Sequence, residues 1–237
     1  MGGATIKAYL DLCRVSNLPT VWSNVLAAMV LTGAGFSWPV FLLLALSLSL
    51  FYSGGMCLND VCDAEFDRTA RPGRPIPSGR IPLRSARFFS VALLALALFL
   101  LRLAPHPAGL YPGIALLLAI AAYDTLHRSH AASVLIMAAC RLLVFITCSY
   151  AVSGMLARPA LIGGAVQFAY VLVLTVVARQ EHRRGTPYAF PLIMLLIAGI
   201  PLLDGIVLAL FVSPVWLVAG LGGMLLTLAG QRAVRGD

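Results

Sequence analysis

The feature that most restricts the fold of this chain is a series of eight long apolar stretches. We place them at 18–34, 38–57, 85–104, 108–124, 132–154, 159–178, 187–205 and 209–230. Each has about 17–23 residues, which is enough for an α-helix to cross a hydrocarbon core of about 30 Å. Because backbone groups in lipid must be satisfied within the segment, such runs favour helices over barrel strands. The sequence therefore predicts an all-α, polytopic transmembrane helical bundle with a single domain over residues 1–237.

Charge in this chain is scarce and unevenly placed. The chain is 60% hydrophobic and 11% charged, with a formal net charge of +8. In the eight-helix arrangement, 14 of the 17 Lys and Arg residues, Arg14 among them, fall in loops on one side. That asymmetry is the positive-inside pattern, so we expect both termini and the basic loops to be cytoplasmic. The basic excess thus indicates membrane topology rather than nucleic-acid binding, and we expect an integral protein of a bacterial inner (plasma) membrane.

The acidic residues concentrate at the same side of the predicted bundle. Six of the nine carboxylates lie at the inner ends of the second, fourth and sixth helices: Asp60, Asp63, Glu65, Asp67, Asp124 and Glu181. Of the other three, Asp11 and Asp237 are near the ends of the sequence, and Asp204 is predicted at the outer end of the seventh helix. Carboxylates at membrane depth are costly, so a group of them indicates a functional site. The five cysteines show no spacing typical of a metal site, and we expect their side chains to pack between helices.

Three aspartates follow the second apolar stretch, in the segment NDVCDAEFDRTARPGRPIPSGR (residues 59–80). If the helix continues past Cys57, then Asp60, Asp63 and Asp67 share one face, because they are spaced i, i+3 and i+7. Like charges stacked in this way repel one another unless a cation lies between them. Carboxylate oxygens suit Mg²⁺, Ca²⁺ or Mn²⁺, and Mg²⁺ is commonly held by one or two carboxylates together with substrate phosphates.

Four arginines follow in the same segment, at positions 68, 71, 74 and 80. The prolines there predict that the helix ends by about Arg71. Guanidinium groups bind phosphate in a fixed fork, so carboxylates acting through a metal and arginines acting directly would form a diphosphate site. The alternative is a solvated cap that pairs its own charges. The face-matched aspartates and the charged loops after the fourth and sixth helices favour the diphosphate site.

The pattern Asn59-Asp60-x-x-Asp63-x-x-x-Asp67, with Arg68 and then Arg71-Pro72-x-Arg74-Pro75-Ile76-Pro77, resembles the first aspartate-rich motif of the UbiA superfamily of intramembrane prenyltransferases. The resemblance implies a helical bundle whose central cavity opens sideways to lipid. It also implies Mg²⁺ at Asp60, Asp63 and Asp67, which holds the diphosphate of an isoprenoid donor. Asn59 and the three arginines of the motif are then expected to bind that diphosphate.

Two further loops complete the expected site. After the sixth helix the family usually has two or more aspartates, whereas this chain has Glu181 alone; we expect Glu181 to bind metal and Arg179 to contact phosphate. The loop after the fourth helix resembles the family's pattern of a Tyr followed by a Lys-Arg pair: Arg128 matches its Arg, and His127 stands where Lys is common. We expect Arg128 either to contact the phosphate and act in catalysis or to serve only as a topology charge.

The expected function is therefore Mg²⁺-dependent transfer of an isoprenyl group from an allylic prenyl diphosphate donor to an aromatic or other lipophilic acceptor. Asp60, Asp63, Asp67 and Arg128 are the expected catalytic residues, and the lipid bilayer is the medium of the reaction. The alternative is a catalytically altered relative that binds or moves an isoprenoid or lipid ligand, since the second acidic motif is reduced. Family members typically have nine helices, so we also expect part of the cavity wall either to be missing or to be supplied by a membrane partner subunit.

One charge lies deep inside a predicted helix. Arg141 is about nine residues from the inner end of the fifth helix, and a buried unpaired arginine is costly, so we expect it to face the cavity or an acid. Five uncharged polar residues, at positions 17, 24, 150, 167 and 170, are expected either to line the cavity or to form interhelical hydrogen bonds.

Overall fold

The structure is a computed structural model and describes residues 2–128, 130, 132–184 and 190–234. Within those ranges the chain forms ten α-helices and two single 3₁₀ turns. The helices are α1 (Gly2–Leu12), α2 (Leu18–Thr32), α3 (Trp38–Cys62), α4 (Ala64–Ala70), α5 (Leu83–Arg102), α6 (Leu110–Leu126), α7 (Ser133–Ser153), α8 (Arg158–Arg184), α9 (Leu192–Phe211) and α10 (Trp216–Ala233). The 3₁₀ turns precede α2 and α6, at Val15–Asn17 and Pro107–Gly109.

The prediction of a polytopic helical bundle is confirmed. Each of the eight predicted stretches overlaps a helix, although residues 187–189 of the seventh lie outside the described residues and the eighth begins in the last turn of α9. Helices α3, α5, α7, α8 and α9, and α6 together with the 3₁₀ turn before it, are long and apolar enough to cross a membrane. Helix α2, with 15 residues, and helix α10, with 18, complete the bundle.

The predicted helix ends were less accurate than the helices themselves. Helix α3 continues to Cys62 and α8 to Arg184, beyond the predicted residues 57 and 178. Those predictions followed hydropathy, whereas the backbone hydrogen bonding of a helix continues through polar residues. Helix α9 begins after Pro191 and extends to Phe211, so the predicted stretch 187–205 is shifted toward the amino terminus.

Helix α2 lies at the centre of the bundle and packs against α3, α7, α8, α9 and α10. The other helices pack mainly as neighbours in sequence, with α3 against α5, α7 against α8, and α9 against α10. The start of α2 and the end of α10 meet at one end of the bundle, where Gln231 Nε2 of α10 donates to Asn17 Oδ1 at 3.1 Å. The aspartate motif lies at this end as well, because Arg14, just before α2, contacts Asp60.

Helices α9 and α10 cross at two glycines. A Cβ added at Gly220 would lie 2.9 Å from Gly205 Cα and 2.9 Å from the Pro201 carbonyl oxygen, whereas one added at Gly222 would meet nothing within 4 Å. We therefore expect Gly220→Ala to destabilise the bundle by about 1–3 kcal/mol, because the backbones must separate. Gly222→Ala, in the same helix, is the matched control and should leave stability unchanged or raise it slightly. Thermal unfolding in one detergent measures both, and equal melting temperatures would contradict the close crossing.

Candidate active site

Arg74 bridges two of the three predicted aspartates. Helix α3 ends at Cys62, and α4 carries the chain from Ala64 to Ala70, so Asp60 and Asp67 lie on successive helices joined at Asp63. Arg74 Nη1, in the loop after α4, donates to Asp60 Oδ1 at 3.1 Å and to Asp67 Oδ2 at 2.6 Å. Both aspartates are buried, at 5% and 1% exposure. The guanidinium therefore compensates two carboxylates that would otherwise repel each other in a desolvated environment.

Asp63 faces a different loop from the other two aspartates. Its Oδ1 lies 3.0 Å from His127 Nε2 and 2.8 Å from Arg128 Nη2, both in the segment after α6. The Arg128 contact is an ion pair, whereas the His127 contact is one only with a protonated imidazole. Neither contact has hydrogen-bond geometry, so Asp63 Oδ1 can still accept a hydrogen bond or bind a cation. Arg128 also lies over the ring of Phe66, with Cζ 4.6 Å from the centroid. The three aspartates therefore do not form the single row that was predicted. The helix is interrupted between α3 and α4, and at this break the side chain of Asp63 turns toward α6.

Arg14 is a member of the cluster that we had interpreted only as a topology charge. Its Nη2 donates to Asp60 Oδ1 at 3.3 Å, and its Nη1 contacts Met56 Sδ at 3.4 Å. The backbone of Arg14 has φ 47° and ψ 48°, a left-handed conformation that costs a non-glycine residue about 1–2 kcal/mol. This turn between α1 and α2 directs the side chain at the aspartates, and no sequence pattern at Arg14 predicts it.

A fourth acid joins the site from α6. Asn59 Nδ2 donates to Asp124 Oδ1 at 3.1 Å, and Asp124 is 4% exposed. Within the described residues, Asp124 Oδ2 and Asp67 Oδ1 are buried without a hydrogen-bond partner. Buried acceptors without donors are unusual, and here they indicate positions where water, a cation or a substrate hydrogen is to be expected.

Several predicted residues lie away from this cluster. Arg68 pairs with Glu65 at 3.0 Å on the surface, where the two side chains are 65% and 84% exposed. Arg179 Nη2 donates to the His127 carbonyl at 3.1 Å and to Ser133 Oγ at 2.8 Å, so it supports the loop that contacts Asp63. Glu181 is half-buried near the end of α8. In the part of the chain that the structure describes, no three His, Cys, Asp or Glu side chains form a metal-binding group. The roles expected of Arg68 and Glu181 therefore stay predictions.

The cluster is rich in positive charge as well as acid. Burial and the neighbouring Arg74 guanidinium lower the pKa of Arg71, although the nearby Asp67 carboxylate acts in the opposite direction. Arg14 contributes to the same repulsion. An anion placed among these guanidinium groups would relieve the repulsion between them, so the cluster favours a ligand of high negative charge.

An apolar cavity of about 200 Å³ opens beneath the charged cluster. Arg14, Asn17 and Asp124 line it at the aspartate end, and α3 contributes Tyr52 and Met56 below Asp60. Its wall includes mainly aliphatic and aromatic side chains of α3, α6, α7, α8 and α9. A charged mouth above an apolar cavity suits a ligand with an anionic head and a hydrocarbon tail. As predicted, Arg141 faces this cavity.

Comparison with known proteins agrees with this arrangement. The sequence model described as the UbiA prenyltransferase family matches residues 18–235. The digeranylgeranylglyceryl phosphate synthase of Sulfolobus acidocaldarius is 38% identical over 121 residues, which are 51% of this chain and 42% of the relative. The synthase of the same name from Sulfurisphaera tokodaii is 35% identical over 97 residues, 40% of this chain and 35% of the relative. The matches thus span about two fifths of the length of these relatives.

Two solved structures share the fold. A structure described in work on digeranylgeranylglyceryl phosphate synthase in membranes has a TM-score of 0.66 and 21% identity, covering 96% of this chain and 87% of that one. A UbiA homolog from Archaeoglobus fulgidus bound to DMAPP and Mg²⁺ has a TM-score of 0.62 and 17% identity, covering 92% and 85%. At these identities the likeness establishes the fold.

Proposed function

Because this chain belongs to the UbiA prenyltransferase family, an integral, multi-pass membrane family, we propose that it transfers an isoprenyl group from an allylic prenyl diphosphate to a lipophilic acceptor with the help of Mg²⁺. The observation that carries the proposal is the buried cluster of Asp60, Asp67, Arg14 and Arg74 directly above an apolar cavity. That arrangement provides partners for a diphosphate and, next to them, a dry space for its prenyl tail.

The carboxylates have the chemistry that a divalent cation needs, although in this structure Arg74 bridges Asp60 and Asp67 while Asp63 faces His127 and Arg128. Asp60, Asp63 and Asp67 supply hard oxygen donors, and Asp67 Oδ1 is a buried acceptor without a donor. We propose that these three aspartates hold Mg²⁺, with Glu181 of α8 as a further ligand. When bound there, Mg²⁺ neutralises diphosphate charge and makes the diphosphate a better leaving group.

The arginines stabilise the same charge without a metal. We propose that Arg71, Arg74 and Arg128 donate to the diphosphate oxygens as the bond between the donor carbon and its oxygen breaks, with Arg68 and Arg179 as the outer basic residues and Asn59 as an amide donor. Such donors are most effective where water is excluded, because negative charge then develops against fixed partners. The apolar cavity wall also protects the allylic carbocation from capture by water.

The acceptor that we propose is a glyceryl phosphate lipid with a free hydroxyl group, which is one of the lipophilic acceptors that the sequence prediction allowed beside an aromatic ring. Relatives from several organisms bear the name digeranylgeranylglyceryl phosphate synthase. In the reaction, the acceptor oxygen bonds to the donor carbon, the diphosphate leaves with the electron pair of its C–O bond, and the hydroxyl proton passes to a base. We propose that Asp124 is this base, since the residue belongs to the cavity wall and its Oδ2 accepts no hydrogen bond from the described residues.

Asp124→Asn is expected to lower turnover by about 10²–10⁴-fold while leaving the affinity for the donor nearly unchanged, because asparagine keeps the contact with Asn59 but cannot accept the proton. The matched control is Thr125→Val, one residue further along α6, whose hydroxyl donates only to backbone carbonyls of its own helix. Initial rates and donor binding are measured on the same purified variants. Slow turnover with normal donor binding indicates loss of the base, whereas weak donor binding indicates damage to the site. Turnover of Asp124→Asn within about threefold of wild type would exclude this role.

Product identification tests the proposed function itself. The purified protein is incubated in detergent with geranylgeranyl diphosphate, Mg²⁺ and either geranylgeranylglyceryl phosphate or 4-hydroxybenzoate, and the products are analysed by mass spectrometry. We expect a doubly prenylated glyceryl phosphate. A prenylated benzoate would instead support an aromatic acceptor. The absence of product with either acceptor would count against a prenyltransferase activity.

A second function is favoured by one observation. Arg74 already compensates Asp60 and Asp67, and no metal-binding trio forms among the described acids, histidines and cysteines. A relative that binds or moves an isoprenoid diphosphate without cleaving it would need only the guanidinium groups and the cavity. Tight binding of geranylgeranyl diphosphate without diphosphate release, in the presence of Mg²⁺, would support this function over transfer.

A further inference from the structure

Polar side chains from four helices meet in the middle of the bundle, away from the aspartate motif. Asp204 of α9 is 3% exposed and accepts hydrogen bonds from Asn24 Nδ2 of α2 at 2.8 Å and from Gln167 Nε2 of α8 at 2.7 Å. Asn24 Oδ1 in turn accepts from Arg141 Nη1 of α7 at 2.7 Å. An acid and a base at this depth are costly, so the group calls for a functional explanation. The sequence predictions had placed Asp204 at the outer end of a helix, and the longer α9 places it inside.

The direction of each hydrogen bond in this group is determined by Asp204. Both carboxylate oxygens of Asp204 accept an amide N–H, so the NH₂ side of Asn24 faces Asp204 and its amide oxygen faces Arg141. Thr20, one turn earlier on α2, adds a second attachment, because Arg141 Nη2 donates to its Oγ1 at 3.0 Å and Nη1 approaches its carbonyl oxygen at 3.4 Å. The guanidinium of Arg141 is therefore held from α2 in one orientation.

Arg141 presents its charge to the cavity rather than to Asp204. Asn24 lies between the two charged groups, and Arg141 is part of the cavity wall. A guanidinium has five N–H donors, and the three contacts with α2 leave two without a partner among the described residues. A purely structural ion pair would place the carboxylate against the guanidinium; here the carboxylate orients the amide that positions the arginine.

The distance between Arg141 and the aspartate cluster suggests what could bind between them. Its Cζ lies 5.9 Å from the ring centroid of Tyr52, and Tyr52 precedes Asp60 by eight residues on α3. At about 1.5 Å per helical residue, the guanidinium is on the order of 12 Å below the aspartate cluster. That separation leaves space for the reacting carbon of a donor and for an acceptor whose charged group lies a few bonds from its nucleophile.

We propose that Arg141 binds an anionic group of the acceptor, a phosphate or a carboxylate, and so determines that the acceptor is an acid. Asn24 and Asp204 act as positioning residues, because they fix the direction of the two remaining guanidinium donors. This inference rests on the proposed function, since it places the acceptor's charged end below the donor's reacting carbon. Charge-assisted hydrogen bonds in a dry cavity are strong enough to select an acid over its neutral counterpart.

Equilibrium binding to the full-length protein in detergent tests the inference without requiring turnover. Geranylgeranylglyceryl phosphate is compared with geranylgeranylglycerol, which differs only by the phosphate, and 4-hydroxybenzoate with 4-hydroxybenzyl alcohol. We expect wild type to prefer one of the acids over its neutral partner by about 10–100-fold, as the loss of a charged hydrogen bond predicts. The pair that shows the preference identifies the anion as phosphate or carboxylate.

Arg141→Met should abolish this preference by weakening the acid alone, while Arg141→Lys should retain part of it. Because Arg141→Met leaves Asp204 without a nearby positive charge, the same measurement is made on the double variant Arg141→Met/Asp204→Asn. In that variant neither side chain of the Arg141–Asp204 group carries a charge. Equal binding of acid and neutral partner by wild type, or equal weakening of both in the variants, would overturn the inference.

The same variants separate this inference from the proposed function. If transfer occurs, Arg141→Met should raise the KM for the acidic acceptor by about 10-fold or more and leave the KM for the donor within about threefold. If wild type transfers no prenyl group to either acid, the proposed function fails, and the binding preference alone decides the role of Arg141.

Discussion

Asp60→Asn and Asp63→Asn are each expected to reduce Mg²⁺-dependent release of diphosphate from a prenyl diphosphate by at least about 10²-fold. Asparagine has the shape of aspartate but lacks its charge, so it cannot compensate a divalent cation or the guanidinium groups around it. The two acids belong to different parts of the cluster, since Asp60 contacts Arg14 and Arg74 whereas Asp63 contacts His127 and Arg128. A large loss in both variants therefore shows that the two parts act as one site.

The matched control for these variants is Glu65→Gln. Glu65 lies between the two aspartates and Asp67 in sequence, but it is 84% exposed and pairs only with Arg68 on the surface. We expect its turnover to stay within about twofold of wild type, because exposed pairs contribute little. Initial rates of diphosphate release at saturating Mg²⁺ measure all three variants. Wild-type turnover in both aspartate variants would contradict the proposed mechanism.

Arg74→Gln is expected to reduce turnover by about 10²–10³-fold, the loss typical of removing one donor to developing negative charge. It should also destabilise the metal-free protein, since it leaves the buried carboxylates of Asp60 and Asp67 without their shared cation. A divalent cation can replace that missing charge. We therefore expect Mg²⁺ to raise the melting temperature of Arg74→Gln more than that of wild type.

Arg84→Gln is the charge-matched control for Arg74. Arg84 is exposed at the start of α5, outside the cluster, and its substitution should change neither turnover nor the response to Mg²⁺. Thermal unfolding with Mg²⁺ and with a chelator, alongside initial rates, distinguishes the two variants. If Mg²⁺ stabilises Arg74→Gln no more than wild type, then Asp60 and Asp67 do not share a cation.

The aspartate site shows which structural features hydropathy and residue spacing can predict. They located the helices and the acidic end of the bundle, because long apolar runs and the i, i+3, i+7 pattern have few structural solutions. They did not show that Asp63 turns away from Asp60 and Asp67, since that depends on the change in backbone direction between α3 and α4. The division of the row is a tertiary property of the loop after α6, which supplies the partners of Asp63.

Arg14 and Asp204 were missed for different reasons. Arg14 lies in a left-handed turn of the backbone, and nothing in the local sequence of a non-glycine residue predicts such a turn. Asp204 had a visible signal, an acid within an apolar run, but the predicted helix ended at residue 205 and so assigned it to a membrane surface. Helix α9 continues to Phe211 and places Asp204 among Asn24 and Gln167. A buried acid in an extended helix should therefore be checked for partners before it is assigned to an end.

The most direct test of the central claim is the stoichiometry of diphosphate release and prenylated product formed by the wild-type protein, purified in detergent, from geranylgeranyl diphosphate and geranylgeranylglyceryl phosphate. A prenyltransferase built on this cluster should release one diphosphate for each ether product in excess Mg²⁺, and neither should appear with a chelator present. Binding of the donor with no diphosphate released at any Mg²⁺ concentration would contradict the account.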